Sequence, residues 1–173
     1  MELEKILISE ERKDYKCFDL LRELLKNEEF AGMVKRGIEE GMISGFSTDV
    51  WTKIYNHNIG IYESYFDEDF KKGYNIGDCS KFSQRLCYSY DNLFCGGTLS
   101  WLKGTRNSPD GRHMWMVSRG YIYDTSLMLV IDERFAQEFG YIQMGKYDIS
   151  KSAFYDATYD QIFDKEHQSR PKK

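Results

Sequence analysis

The hydrophobic period changes partway along the chain, and that change constrains the fold more than any other feature. From Phe18, apolar residues recur at Leu21 and Leu25 with Leu20 and Leu24 beside them, the stripe of an amphipathic helix. A second stripe runs through Phe30, Val34 and Ile38 and stops at Gly41. Gly45 to Asp49 reads as a turn into a capped helical or irregular stretch from Val50 to about Tyr65, and Asp67, Glu68 and Asp69 read as solvated surface. Asp78 stands as an N-cap before a further periodic run through Phe82, Leu86 and Leu93, which the adjacent Gly96-Gly97 are expected to end. Beyond them the helical period disappears. Thr98 to Lys103, Arg112 to Val117 and Tyr121 to Val130 are short runs of aromatic, β-branched and long apolar residues, which read as strands. Ser108-Pro109-Asp110-Gly111 marks a turn, because Pro109 presets φ and Gly111 accepts positive φ. A short helix over 133–140, an extended piece over 141–147, a helix over 150–163 and a frayed tail from Gln168 complete the expectation. Helices followed by an antiparallel sheet make an α+β domain, a single unit over 1–173 with a mainly helical part at 1–66, a core part at 73–163 and a flexible tail at 168–173.

Composition supports a packed domain and narrows its business. The 173 residues include 13 Tyr, 11 Phe and 3 Trp, 16% aromatic, enough large side chains to build a core and to exclude disorder for most of the chain. A net charge of −4 argues against nucleic acid or an anionic membrane as the main partner, since both want a basic face. The amino-terminal run MELEKILISEERKDYK has neither the apolar segment of a secretory signal nor that of a membrane span, so a cytoplasmic location with reduced thiols is expected. Cys17, Cys79, Cys87 and Cys95 are too scattered for a disulfide scaffold, and with no CxxC pair and only three His a structural zinc site is not expected. A reduced cysteine can instead serve as a nucleophile.

Cys79 is the one cysteine placed for that role. It follows the Asp78 cap at the first turn of a helix, where unpaired backbone N–H groups and the helix dipole favour an anion. Downstream, His113 opens the nearly uncharged run His-Met-Trp-Met-Val, and Ser118-Arg119-Gly120 connects it to Tyr-Ile-Tyr-Asp. Asp124 is the one carboxylate before Asp132 in this stretch, and a lone acid in an apolar strand is costly without a partner. With Arg119-Gly120 as a two-residue hairpin loop, Ser118 pairs with Tyr121 and Trp115 with Asp124, which makes Asp124 a diagonal neighbour of His113 on one face. A three-residue loop would put them on opposite faces, and Arg is not an ideal first residue for the tight turn.

Cys, His and Asp in this order, carried by Gly77-Asp78-Cys79, His113-Met114-Trp115 and Asp124-Thr125, resemble the transglutaminase-like branch of the papain-like cysteine enzymes. The resemblance covers roughly residues 73–130. It implies a nucleophile-bearing helix packed on an antiparallel sheet, with Cys79 as nucleophile, His113 as base and Asp124 orienting His113. It implies a cysteine-dependent acyl-transfer enzyme (protease, amidase or deamidase, or transglutaminase-type) acting on a protein or peptide, with no cofactor and no metal. Ser80-Lys81-Phe82 departs from the acidic-then-small pattern of that family, and Asp78-Cys79-Ser80-Lys81-Phe82 is similar instead to the D-C-S-G-F element of bacterial cell-wall cysteine endopeptidases. Both share the triad logic and differ in substrate.

The tetrahedral oxyanion of such chemistry needs donors. The backbone N–H of Cys79 is one, and Asn75 and Trp51 are candidates for the second. Trp115 is a candidate wall of the substrate cleft and otherwise core, and Arg112 a candidate lip. Plainer readings stand beside these. Asp124 could simply cap a turn with Thr125-Ser126; Cys17, Cys87 and Cys95 read as structural; His57 and His167 carry no role. Two other classes stay open: an inactive binding or inhibitor protein, host-directed or defence-related, that keeps the fold, and a metal-site protein using His113, Asp124 and a thiol, which lacks a fourth ligand.

Overall fold

A computed structural model describes residues 2–46, 63–77, 79, 82–83 and 93–148. The amino-terminal part holds α1 (Glu2–Leu7), 3-10 turns at Glu10–Arg12 and Lys16–Phe18, α2 (Asp19–Leu25) and α3 (Glu28–Glu39). The expected stripes are the buried faces: Leu21 and Leu25 on α2, Phe30 and Val34 on α3. Asn27 caps α3, its side chain accepting from the Glu29 and Phe30 backbone N–H groups. Next come β1 (Ile43–Gly45) and α4 (Glu63–Lys72), the latter carrying the acidic patch. The carboxy-terminal part contains β2 (Leu93–Leu99), a 3-10 turn at Ser100–Leu102, β3 (Arg112–Ser118), β4 (Tyr121–Asp124), β5 (Leu129–Asp132), a 3-10 turn at Glu133–Phe135 running into α5 (Ala136–Phe139), and β6 (Tyr141–Asp148). The strands form one antiparallel sheet in the order β1-β5-β4-β3-β2-β6. The chain is thus an α+β fold. Among the described residues no helix is long and apolar enough to cross a membrane.

The architecture differs from the sequence expectation at three points. The helical part contributes a strand, since β1 pairs with β5 at Ile43–Ile131 and closes one side of the sheet. The run 121–130 is two strands, with a turn at 125–128 between them. That turn reads like strand because its second half, Leu127 and Met128, belongs to the core. Finally, Gly96-Gly97 do not end a helix. They lie inside β2, which begins at Leu93, and the expected strand 98–103 becomes a 3-10 turn after Leu99. Both glycines lack positive φ, so conformational freedom is not their use. A Cβ on Gly97 would come within 1.8 Å of the Ile142 carbonyl oxygen, where the β2–β6 register shifts around Met144. Bare backbone here lets β6 approach. The expected helix at 150–163, Trp51, His57, Cys87 and His167 lie outside the described residues.

Five of the aromatic residues form one continuous ladder. Phe30 of α3 meets Trp101 edge-on at 5.3 Å and Phe139 at 5.8 Å; Phe139 stacks on Tyr141 at 5.6 Å, and Tyr141 meets Trp115 edge-on at 4.9 Å. Trp115 and Tyr141 belong to strands on either side of β2, so their rings meet over the strand carrying the two glycines. The ladder joins the helical layer to the sheet face bearing His113, whose ring lies 6.0 Å from Trp115.

Two glycine substitutions separate close approach from helix entropy. Gly97→Ala should destabilise by about 2 kcal/mol or more, because the new methyl meets backbone. Gly32→Ala, exposed on α3 with open space around its Cβ, should stabilise by roughly 0.5–1 kcal/mol. Urea denaturation of both variants checks the pair, and equal effects would contradict the role given to Gly97.

Candidate active site

The site is assembled where the turn between β4 and β5, the start of β3 and the segment after α4 converge. The β3–β4 hairpin has the two-residue loop Arg119-Gly120, with φ of 51° and 85°, the primed turn that suits strand twist, and Ser118 pairs with Tyr121. That register puts His113 and Asp124 on one face. His113 Nε2 and Asp124 Oδ2 are 2.7 Å apart, and both side chains are buried.

Each Asp124 oxygen has its own task. Oδ1 accepts from the Ser126 and Leu127 backbone N–H groups at 3.0 and 2.9 Å, capping the turn. Oδ2 accepts from His113 and also from the Tyr141 hydroxyl at 2.6 Å. Turn cap and histidine partner, alternatives in the sequence, coexist in one carboxylate. Burial pushes the Asp124 pKa up, but the His113 charge and hydrogen bond, the Tyr141 hydroxyl and the Leu127 N–H outweigh it and hold the value below the usual range. For His113, burial pulls the pKa down, while the Asp124 charge and hydrogen bond, with further hydrogen-bonding and charge contributions from Cys79, raise it above the ordinary imidazole value.

Cys79 is half-buried and packed against the core. Phe82, a few residues on, is buried against Phe70 of α4 with ring centroids 5.0 Å apart, and Ser83 Oγ donates to the Met114 carbonyl of β3 at 3.2 Å. These contacts dock the helical residues after Cys79 beside His113. Cys79 and His113 share the wall of a cleft of about 290 Å³, with Leu102, Asn107, Arg112 and Ser126 also lining it. Gly77, with φ of 85°, leads into Cys79, and the Asn107 side chain packs beside it.

Two sequence candidates change standing. Asn75 is not poised to bind an oxyanion. It is fully buried, and its amide nitrogen donates to the Cys17 carbonyl at 3.2 Å and the Thr125 carbonyl at 2.7 Å, while Ser126 Oγ donates to the Asn75 carbonyl at 3.3 Å. One N–H bond ties the segment before Cys79 to the Asp124 turn and the other ties it to the Lys16–Phe18 turn, so neither is left for an oxyanion. Trp115 does not wall the cleft: it is buried in the ladder and borders a separate hollow with Tyr141 and Ile122. Arg112 does line the cleft, exposed, with Nε 3.0 Å from Asp110 Oδ2. Trp51 and Asp78 lie outside the described residues. Cys17 and Cys95 are buried, and burial raises both thiols, Cys95 to about 12. Among the described residues no group of three His, Cys, Asp or Glu could hold a metal ion.

Sequence reasoning missed Tyr141 and Asn107. Tyr141 reaches Asp124 from β6, which lies beyond β2 in the sheet, so no local pattern announces it. Asn107 sat in a loop whose Pro-Asp-Gly signal spoke only of a turn. No protein-family model, curated protein or solved structure matches the chain.

Two predictions follow from the buried pair and its clamp. A histidine with a raised folded pKa contributes fully below its unfolded value of about 6.5, and the contribution is lost as pH rises through the folded value. Asp124, lowered in the fold, contributes above its unfolded value of about 3.9 and loses that as pH falls through the folded value. The stability gap between wild type and His113→Gln should therefore shrink as pH rises from 6.5 to 9; a constant or widening gap in urea titrations contradicts the assignment. Asn75→Ala strands two buried carbonyls and should cost roughly 2–3 kcal/mol in the same assay, with an Asn75→Ala chain as stable as wild type ruling out the clamp.

Proposed function

We propose that this chain is a cysteine-dependent acyl-transfer enzyme of transglutaminase-like type, acting on an amide or peptide bond. The observation that carries the reading is the 2.7 Å contact between His113 and Asp124 at the wall of a cleft that Cys79 also lines. Further support comes from the raised pKa of His113, to which Cys79 contributes by hydrogen bond and charge, so the sulfur lies beside the imidazole as nucleophile and base must.

In this reading the Cys79 sulfur attacks the substrate carbonyl carbon, a C–S bond forms, and the carbonyl π electrons move onto oxygen. The oxyanion collapses, the C–N bond breaks, and the His113 imidazolium gives its proton to the departing amine. Water or a second amine then attacks the thioester while His113 takes its proton, and the Cys79 thiolate leaves. Asp124 is a positioning residue: it holds the ring and stabilises its charged form. The Cys79 backbone N–H is one oxyanion donor of this scheme. Trp51 keeps its candidacy for the second. The cleft combines apolar Leu102 with polar Asn107, Ser126 and Arg112, a lining that suits an extended peptide or a side-chain amide better than a hydrocarbon.

A second reading, a binding protein that keeps this fold without turnover, draws on the burial of His113, only 1% exposed, since a general acid must reach its leaving group. Site-resolved alkylation separates the two. With iodoacetamide at pH 6, Cys79 should react about tenfold or more faster in the wild type than in His113→Gln, read by peptide mass. Comparable rates would remove the activated nucleophile. Conversion of glutamine to glutamate in peptides, and incorporation of a fluorescent primary amine, then distinguish hydrolysis from transfer, and both should vanish in Cys79→Ala.

A further inference from the structure

We propose that Tyr141 is a positioning residue of the Cys79–His113–Asp124 site, whose hydroxyl shares Asp124 Oδ2 with the imidazole and thereby sets how tightly His113 holds its proton. The purpose of this tuning rests on the acyl-transfer reading; the tuning itself does not. Tyr141 Oη donates to Oδ2 at 2.6 Å, and His113 Nε2 meets the same oxygen at 2.7 Å. The phenol ring is held on two sides, stacked on Phe139 at 5.6 Å and edge-on to Trp115 at 4.9 Å, and is 4% exposed. Among the described residues Asp124 is its one hydrogen-bond partner.

A donor on an anion stabilises most the state in which that anion is least compensated. Here that state is the one with neutral His113, where the Asp124 charge has no imidazolium beside it. The Tyr141 hydrogen bond therefore favours release of the His113 proton, against the pull of the Asp124 charge. An acid that clings to its proton serves a leaving amine poorly, so a second donor on Oδ2 is useful in proportion to how deeply the pair is buried. The titratable groups acting on His113 are Asp124 from β4 and Cys79 from its helical turn; those acting on Asp124 include His113 and Tyr141; Tyr141 answers to Asp124. Burial, with the Asp124 charge and hydrogen bond, keeps the phenol well above its ordinary pKa, so it remains a donor.

The test uses Tyr141→Phe in the intact chain, which keeps the ring and its contacts with Phe139 and Trp115. NMR titration of the His113 ring should show its pKa rise by about half a unit or more, while Tyr121→Phe, at an exposed position, leaves it in place. A merely structural tyrosine would lower the melting temperature and leave that pKa unmoved. An unmoved or lowered His113 pKa in Tyr141→Phe overturns the proposal. On an Asp124→Asn background the Tyr141→Phe shift should disappear, and its persistence would also overturn it. Failure of the acyl-transfer reading is seen separately, as Cys79 no more reactive towards iodoacetamide in the wild type than in His113→Gln, and does not depend on the tyrosine shift.

Discussion

A carboxylate with no exposure to water has to be surrounded by donors, and the burial of Asp124 organises much of the described fold. Its four hydrogen bonds come from three places: the imidazole of β3, the phenol of β6, and two backbone amides of the turn it caps. None of these donors can be lost without leaving charge uncompensated. The register of the β3–β4 hairpin, the path of β6 past β2 and the conformation of the 125–128 turn are thereby tied to one side chain. Asn75 extends the same tie. By gripping Thr125 and receiving Ser126, it fixes the segment that leads into Cys79 to the turn that Asp124 caps. Cys79, His113 and Asp124 arrive on separate elements, yet their supports meet at this turn.

This dependence explains which parts of the site are legible in the sequence. The His113–Asp124 pairing follows from a period of two and a tight turn, both local, and a lone acid in an apolar run already demands a partner. The two helical stripes are likewise local, and α2 and α3 bury them. What local pattern does not encode is contact across the sheet. Tyr141 lies 17 residues from Asp124, and Asn75 finds carbonyls 58 and 50 residues away. Nearness in sequence to Cys79 suggested an oxyanion role for Asn75, but burial and two waiting carbonyls took its donors first. Gly96-Gly97 misled for a related reason. Paired glycines fit a helix end or a strand under a close neighbour, and only the neighbour, the Ile142 carbonyl, decides between them.

The geometry of Asp124 also assigns work within the imidazole. An ionised carboxylate only accepts, so Nε2 keeps a proton whether the ring is neutral or charged. Nδ1 is then the nitrogen that gains and loses a proton, and it is the one left for the sulfur of Cys79. With the ring almost wholly buried, exchange is confined to the edge bordering the cleft. In the proposed reaction a substrate must bring its scissile nitrogen to that edge, between Cys79 and Nδ1, and cannot reach the ring from the sheet side, which Trp115 and Tyr141 fill. The aromatic ladder thus does more than join helices to sheet. By sealing one side of the pair it keeps water from Asp124 and leaves the imidazole a single direction in which to act.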